Sequence, residues 1–80
     1  MKSGWREWEQ TQSGMRVRGQ IGTGLGIIEV DGMYYISPID DVFYSHTREA
    51  VELGQCIAYT NEIAAMTAAV LGCSGRKNDP

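Results

Sequence analysis

The chain has 80 residues, of which 42% are hydrophobic and 21% are charged, and its net charge is −3. This length allows one domain with a thin core, and the composition is that of a globular chain and not of a disordered one. Residues 1–18 carry a charge of +2, residues 19–75 carry −6 and residues 76–80 carry +1. The acidic body argues against direct nucleic-acid binding, which depends on cationic contacts to phosphates, and suits a basic partner.

Targeting and redox features indicate a cytoplasmic protein. No apolar stretch follows Met1-Lys2, so no signal peptide is predicted, and no segment has the ~20 apolar residues of a membrane span. On one straight helix Cys56 and Cys73 would lie about 25 Å apart, beyond the reach of a disulfide, so a bridge would need a helix break or two chains. We expect both thiols to be small core fillers and not reactive groups.

Residues 1–14 are polar apart from Trp5 and Trp8, which lie three positions apart. A single helical turn would place both rings on one face. They are either an aromatic anchor for a partner or part of a flap that covers the edge of the core, and the flap is favoured.

Three strands are predicted after this flap. Residues 15–22 alternate apolar and polar side chains, residues 25–31 form a β-branched run, and residues 33–37 form a third run that ends at Pro38. Asp31-Gly32 is a strong signal for a tight hairpin, so the second and third strands should pair antiparallel. Residues 39–44 are a connection or a short edge strand, and residues 73–80 are a frayed tail.

Residues 45–72 predict a long C-terminal helix. Ser45 or Thr47 can cap its N-terminus, with Glu49 in the first turn, and Gly72 is a natural stop. Two apolar stripes follow helical spacing. They contain Ala50, Leu53, Ile57, Ala64, Ala68 and Leu71, and Cys56, Tyr59, Ile63, Met66 and Val70.

The length of this helix predicts a homodimer. From residue 47 to residue 71 it would extend roughly 38 Å, against a domain diameter of about 30 Å. Either a second copy covers the overhang, or the helix breaks near Gly54 or Thr60-Asn61 and folds back on its own sheet. The predicted dimer interface comprises Ile63, Ala64, Met66, Ala68, Val70 and Leu71. The alanines at 64, 65, 68 and 69 would allow two helices to approach closely.

Catalytic, cofactor and metal sites are not predicted, and the chain is not expected to be an enzyme. Gly22, Gly24 and Gly26 do not form a dinucleotide-binding fingerprint, because that pattern needs a glycine at position 27, which is Ile27, and a helix after it. A flexible hairpin loop is favoured instead. Ser45, His46 and the neighbouring aspartates contain the residue types of a triad or a metal site. Adjacent Ser and His do not form a nucleophile–base pair, and a metal would find too few ligands.

Acidic residues suggest a surface for a partner that is itself basic. Such a surface could imitate the phosphates of nucleic acid and occupy a basic groove. The predicted set comprises Asp40, Asp41, Glu49, Glu52 and Glu62, with Tyr44 and Trp8 as aromatic anchors. The alternative is an ordinary solvated face.

Two resemblances follow. The run Tyr34-Tyr35-Ile36 followed by residues 45–50, SHTREA, resembles the strand-to-helix junction of HicB-type antitoxins over about a third of the chain. In size, charge and layout the whole chain is similar to small phage inhibitors such as anti-CRISPR proteins. That similarity implies a protein that sits on a nucleoprotein complex and blocks nucleic-acid access or a conformational step.

The sequence therefore predicts one α+β domain over residues 1–80, a three-stranded antiparallel meander packed on a long C-terminal helix. The expected function is a non-enzymatic protein-binding module, in its sharper form a phage or mobile-element inhibitor of a host nucleoprotein defence complex. The alternative is an antitoxin-like regulator with one small basic partner. No cofactor, no membrane contact and no direct nucleic-acid contact are expected.

Overall fold

The computed structural model of the chain describes residues 4–11, 14–38, 41–73 and 75–77. Its elements are β1 (Glu9–Gln10), β2 (Arg16–Gly19), β3 (Leu25–Val30), β4 (Met33–Pro38), α1 (Asp41–Glu52) and α2 (Glu62–Val70). The strands form one antiparallel sheet in the order β1-β2-β3-β4. The α+β class is confirmed, whereas the three-stranded sheet and the long C-terminal helix are wrong.

The predicted hairpin between β3 and β4 is present. Val30 pairs with Met33 across the turn, and the turn residues Asp31 and Gly32 have φ angles of 52° and 80°. Positive φ at both central residues is what a two-residue turn of type I′ requires. The glycine-containing stretch between β2 and β3 is the hairpin loop that the sequence predicted.

The additional strand, β1, lies in the segment predicted to be a flap. Glu9 pairs with Val17, Gln10 pairs with Arg16, and Trp5 forms an isolated bridge with Gln20. This segment covers the core by joining the sheet edge in extended conformation and not as a helical turn. Two residues are too few to show the alternating pattern by which a strand is recognised in sequence.

The first helix begins earlier than the sequence predicted. Because α1 starts at Asp41, Ser45 and Thr47 lie inside it and do not cap it, and Glu49 lies in its second half. The helix ends at Glu52 and is followed by Gly54, whose φ of 73° is incompatible with a continuing helix. The predicted break point is therefore confirmed here.

Residues 55–60 leave the helix and cross the open edge of β4. Tyr34 and Tyr59 exchange two backbone hydrogen bonds of 2.9 Å each. Asn61 then caps α2, its side chain accepting a hydrogen bond from the Ala64 amide at 2.8 Å. The chain folds back on its own sheet, so neither α1 nor α2 overhangs the domain and the length argument for a dimer no longer holds.

The chain beyond α2 is not simply a frayed tail. The Ile57 amide donates to the Gly75 carbonyl at 2.8 Å, and the Lys77 amide donates to the Gln55 carbonyl at 3.0 Å. Residues 75–77 thus add an antiparallel contact beside residues 55–57. Both thiols are free: Cys56 is buried, as predicted, but Cys73 is exposed and fills no core.

The two helices pack on opposite faces of the sheet. Side chains alternate along a strand, so Ile27 and Ile28, both fully buried, point to opposite sides. The α1 side contains Met15, Val17, Ile28, Tyr35, Tyr44, Ala50 and Cys56. The α2 side contains Ile27, Ile36, Ala65 and Ala69, with Trp5, Trp8, Tyr34 and Tyr59 packed around them.

A buried hydroxyl pair attaches α1 to the sheet. The oxygens of Ser37 on β4 and Thr47 on α1 lie 2.9 Å apart, and Ser37 also donates to the Pro38 carbonyl. Since both side chains are buried, each satisfies the hydrogen-bonding need of the other. Neither helix reaches the length and apolarity needed to cross a membrane, as far as the described chain goes.

Candidate functional site

The second helix presents an apolar face on both of its sides. Its sequence, EIAAMTAAV, contains one charged residue, Glu62. Ala65 and Ala69, four positions apart, pack on Ile27 and Ile36 of the sheet, where their small size lets the helix lie close. A surface helix normally turns polar residues outward, so the composition of the opposite side is unusual.

That opposite side is a stripe of large aliphatic side chains exposed to solvent. Ile63, Val70 and Leu71 are 71%, 60% and 76% exposed. At about 100° per residue, these three and Thr67 fall within a sector roughly 100° wide, opposite the buried alanines. We call Ile63, Thr67, Val70 and Leu71 the docking stripe.

A groove runs beside the docking stripe. It has a volume of about 260 Å³ and is lined by Trp5, Ile63, Met66, Thr67, Val70 and Leu71. Trp5 is held there by the bridge of the N-terminal segment to Gln20. An uncharged groove of this size, bordered by an indole ring, accommodates one or two aliphatic side chains and offers few polar groups to orient a small molecule.

The single charge of α2 is engaged within the chain. The Glu62 carboxylate accepts a hydrogen bond from the Trp8 indole nitrogen at 2.8 Å and lies 3.7 Å from the Arg18 guanidinium. These partners stand on the sheet side of the helix. The docking stripe is therefore uncharged, and a surface that covers it would bury no carboxylate.

Trp8 is the centre of a packed cluster on the outer strands. The Arg16 guanidinium lies 4.4 Å from the centre of the Trp8 ring, and the Tyr34 ring lies at 6.0 Å. Arg16 also pairs with Glu29 at 3.2 Å. A hydrogen bond between Tyr34 and Glu29 raises the pKa of the Tyr34 hydroxyl. These contacts give Trp8 a structural role, because they hold β1 and α2 on the sheet.

The predicted acidic set is not gathered on one surface. Glu49 and Glu52 are exposed on α1, where Glu52 lies 3.8 Å from Arg48, but Glu62 belongs to α2 on the other side of the sheet. Asp41 opens α1, while its side chain and all of Asp40 lie outside the described residues. The grouping of Glu62 with the α1 carboxylates is therefore corrected.

Tyr44 is also corrected. Only 6% of its surface is exposed, and it packs with Ile28 and Ala50 between α1 and the sheet. A ring at this position stabilises the fold and is not presented on the surface.

The predicted dimer residues divide into two groups. Ile63, Val70 and Leu71 lie on the docking stripe, whereas Ala64, Met66 and Ala68 are half-buried at its margins. Of the four alanines expected to admit a second helix, Ala65 and Ala69 face the chain's own sheet. The predicted set did not include Thr67 at the middle of the stripe, and it left out Trp5, which had been weighed with Trp8 as an aromatic anchor. The four-residue spacing of Thr67 from Ile63 and Leu71 was the available signal.

Groups suited to catalysis are sparse in the described part of the chain. It contains no cluster of three or more His, Cys, Asp or Glu residues able to hold a metal ion. Ser45 and His46 are exposed on α1. Comparison with known proteins gave no match to a family model, to a curated protein or to a solved structure.

Proposed function

We propose that this protein is a protein-binding module that acts by contact, and that it docks through the docking stripe of α2. The observation that supports this most strongly is the exposure of three large aliphatic side chains on one short segment, Ile63 and Val70 on the nine-residue helix α2 and Leu71 at its C-cap. Contiguous apolar patches of this kind on a small chain mark interaction surfaces, because leaving them in water costs free energy that burial recovers.

The chain offers a matched control for this proposal. Leu53, at the end of α1, is 72% exposed, almost as much as Leu71, but stands on the other side of the sheet. It is an isolated exposed leucine, which is ordinary on protein surfaces. A role that depends on the stripe will therefore respond to changes at Leu71 and not to the same changes at Leu53.

The finer form of the proposal is an inhibitor that occludes a host nucleoprotein defence complex. It is supported by the small size, the net charge of −3 and the similarity in layout to phage inhibitors. The antitoxin-like alternative draws on Glu49 and Glu52, the exposed carboxylates of α1. Both forms require a protein partner, and they differ in whether the partner is a large complex or one small basic protein.

Site-specific photocrosslinking tests the docking stripe directly. We would place a benzophenone side chain at position 71 or at position 53, irradiate in bacterial lysate with and without nuclease, and identify adducts by mass spectrometry. We expect a discrete adduct from position 71 alone, lost when Ile63→Asp is added and kept when Leu53→Asp is added. Equal adducts from both positions, or none from position 71, would overturn the proposal.

A further inference from the structure

We propose that the occupant of the docking stripe is a second copy of this chain, with the two α2 helices antiparallel about a two-fold axis that passes near Thr67. This inference rests on the proposed function, because it names the partner of the same surface. It does not depend on a long helix that overhangs the domain.

The order of side chains along the stripe is complementary to the same stripe running in the opposite direction. In a two-fold interface the same patch on both copies must be complementary to itself. With the axis at Thr67, Ile63 of each copy lies opposite Val70 and Leu71 of the other. Aliphatic side chains then meet aliphatic side chains at both ends, and the short Thr67 side chains meet at the centre, where the helices are closest.

Charge favours a second copy over a strongly charged partner. The stripe carries no charged side chain, and Glu62 is turned toward Trp8 and Arg18. Pairing two stripes therefore brings no like charges into contact, although each chain has a net charge of −3. The antiparallel arrangement also sets the positive N-terminal end of each helix dipole beside the negative C-terminal end of the other. That C-terminal end has no basic residue in its own last turn.

The groove supplies the complementary shape. Each copy has projecting side chains at Ile63 and Leu71 next to a groove of about 260 Å³ bordered by Trp5. The two-fold axis would place the projections of one copy along the groove of the other, twice. A nine-residue helix is about 14 Å long, and standard interfaces bury about 800 Å² per partner. A contact through one helix of this length is short compared with the interfaces of obligate dimers, so we expect a dimer that dissociates on dilution.

Sedimentation equilibrium of the purified chain over a wide dilution series is the first test. We expect a mass that rises with concentration from 8.8 kDa toward twice that value. Leu71→Asp should weaken the association by roughly tenfold or more, since each interface then buries two carboxylates. Leu53→Asp should leave it unchanged. A mass that stays at the monomer value at every concentration would overturn the second copy as occupant.

Engineered cysteines test the geometry in a Cys73→Ser background. Thr67→Cys should form a disulfide between copies on mild oxidation. Ile63→Cys should not, because antiparallel pairing separates its two copies by about 12 Å along the helix axis, beyond disulfide reach. Crosslinking through Ile63→Cys would overturn the antiparallel arrangement.

The two proposals can fail separately. A purely monomeric chain whose position 71 still crosslinks to a different protein would remove the second copy and keep the docking stripe. A dimer that Leu71→Asp does not weaken would show self-association through another surface and overturn this inference.

Discussion

At the level of single residues, Gly75 lies so close to β4 that no side chain fits there without a shift. A Cβ atom there would lie 2.9 Å from the Ile36 Cβ and 3.1 Å from its carbonyl oxygen. Gly72 has a similar φ, 88° against 82°, but a Cβ there meets nothing within 4 Å. Alanine substitutions at Gly72 and Gly75 therefore distinguish the cost of backbone strain alone from the added cost of steric crowding.

We expect Gly72→Ala to lower the free energy of unfolding by about 1–2 kcal/mol, the cost of a left-handed conformation for a residue with a Cβ. Gly75→Ala should cost about 1–3 kcal/mol more, because β4 must shift to admit the methyl group. Urea unfolding followed by circular dichroism measures both. Equal losses would mean that residues 75–77 do not pack on β4 in solution.

Burial of Cys56 makes the free energy of unfolding depend on pH in the alkaline range. Burial raises the pKa of the Cys56 thiol above its ordinary value of 9.0, although Arg76 and Lys77 act in the opposite direction. A raised pKa in the folded state means that the folded chain holds the proton more tightly than the unfolded chain. The stabilisation is complete below the unfolded-state pKa and is lost as pH rises through the folded-state pKa.

We therefore expect the free energy of unfolding to fall as pH rises past 9.0, by at most ~1.4 kcal/mol per pH unit for this one thiol. Cys56→Ala should flatten this slope, whatever it does to stability at neutral pH. Cys73→Ala, which removes the exposed thiol, should keep it. The explanation fails if the slope is the same in the wild type and in Cys56→Ala.

At the level of elements, the predictions succeeded where a local pattern determines local structure. The Asp31-Gly32 turn and the two strands beside it were predicted, because positive φ at both turn residues selects few residue types. Gly54 and Thr60-Asn61 were named only as alternative break points of one long helix. The apolar spacing of residues 55–59 continues the helical period, but that segment is extended because tertiary pairing of Tyr59 with β4 outweighs local periodicity.

The residues of the docking stripe were predictable only in part. Periodicity identified Ile63, Val70 and Leu71 as members of apolar stripes, but it cannot tell which side of an apolar helix faces the core. Residue size does not decide this either, since Ala64 and Ala68 are as small as Ala65 and Ala69, and only the structure shows that Ala65 and Ala69 pack on Ile27 and Ile36. The five predicted acidic residues do not share one surface, because Glu62 lies on a different face of the sheet from Glu49. This could not be predicted without knowing that residues 55–60 cross the edge of the sheet.

At the level of the whole molecule, one thin sheet divides the core into two parts, one beneath each helix. Ile28 supports α1 and its neighbour Ile27 supports α2, and both are fully buried. Ile27→Val and Ile28→Val therefore each remove one methylene group, and the two groups lie on opposite sides of the sheet. Each should cost about 0.5–1.5 kcal/mol of unfolding free energy.

The two substitutions should differ more in their effect on hydrogen exchange within each helix than in their effect on the unfolding free energy of the whole chain. We expect Ile27→Val to speed amide hydrogen exchange in α2 and Ile28→Val to speed it in α1, because each helix opens by losing its own contacts to the sheet. Exchange by mass spectrometry of wild type and both variants measures this, with amides of β3 as the internal reference. If either variant accelerates both helices equally, the two sides open as one cooperative unit. Selective opening of α2 would also mean that the docking stripe can be released without unfolding α1.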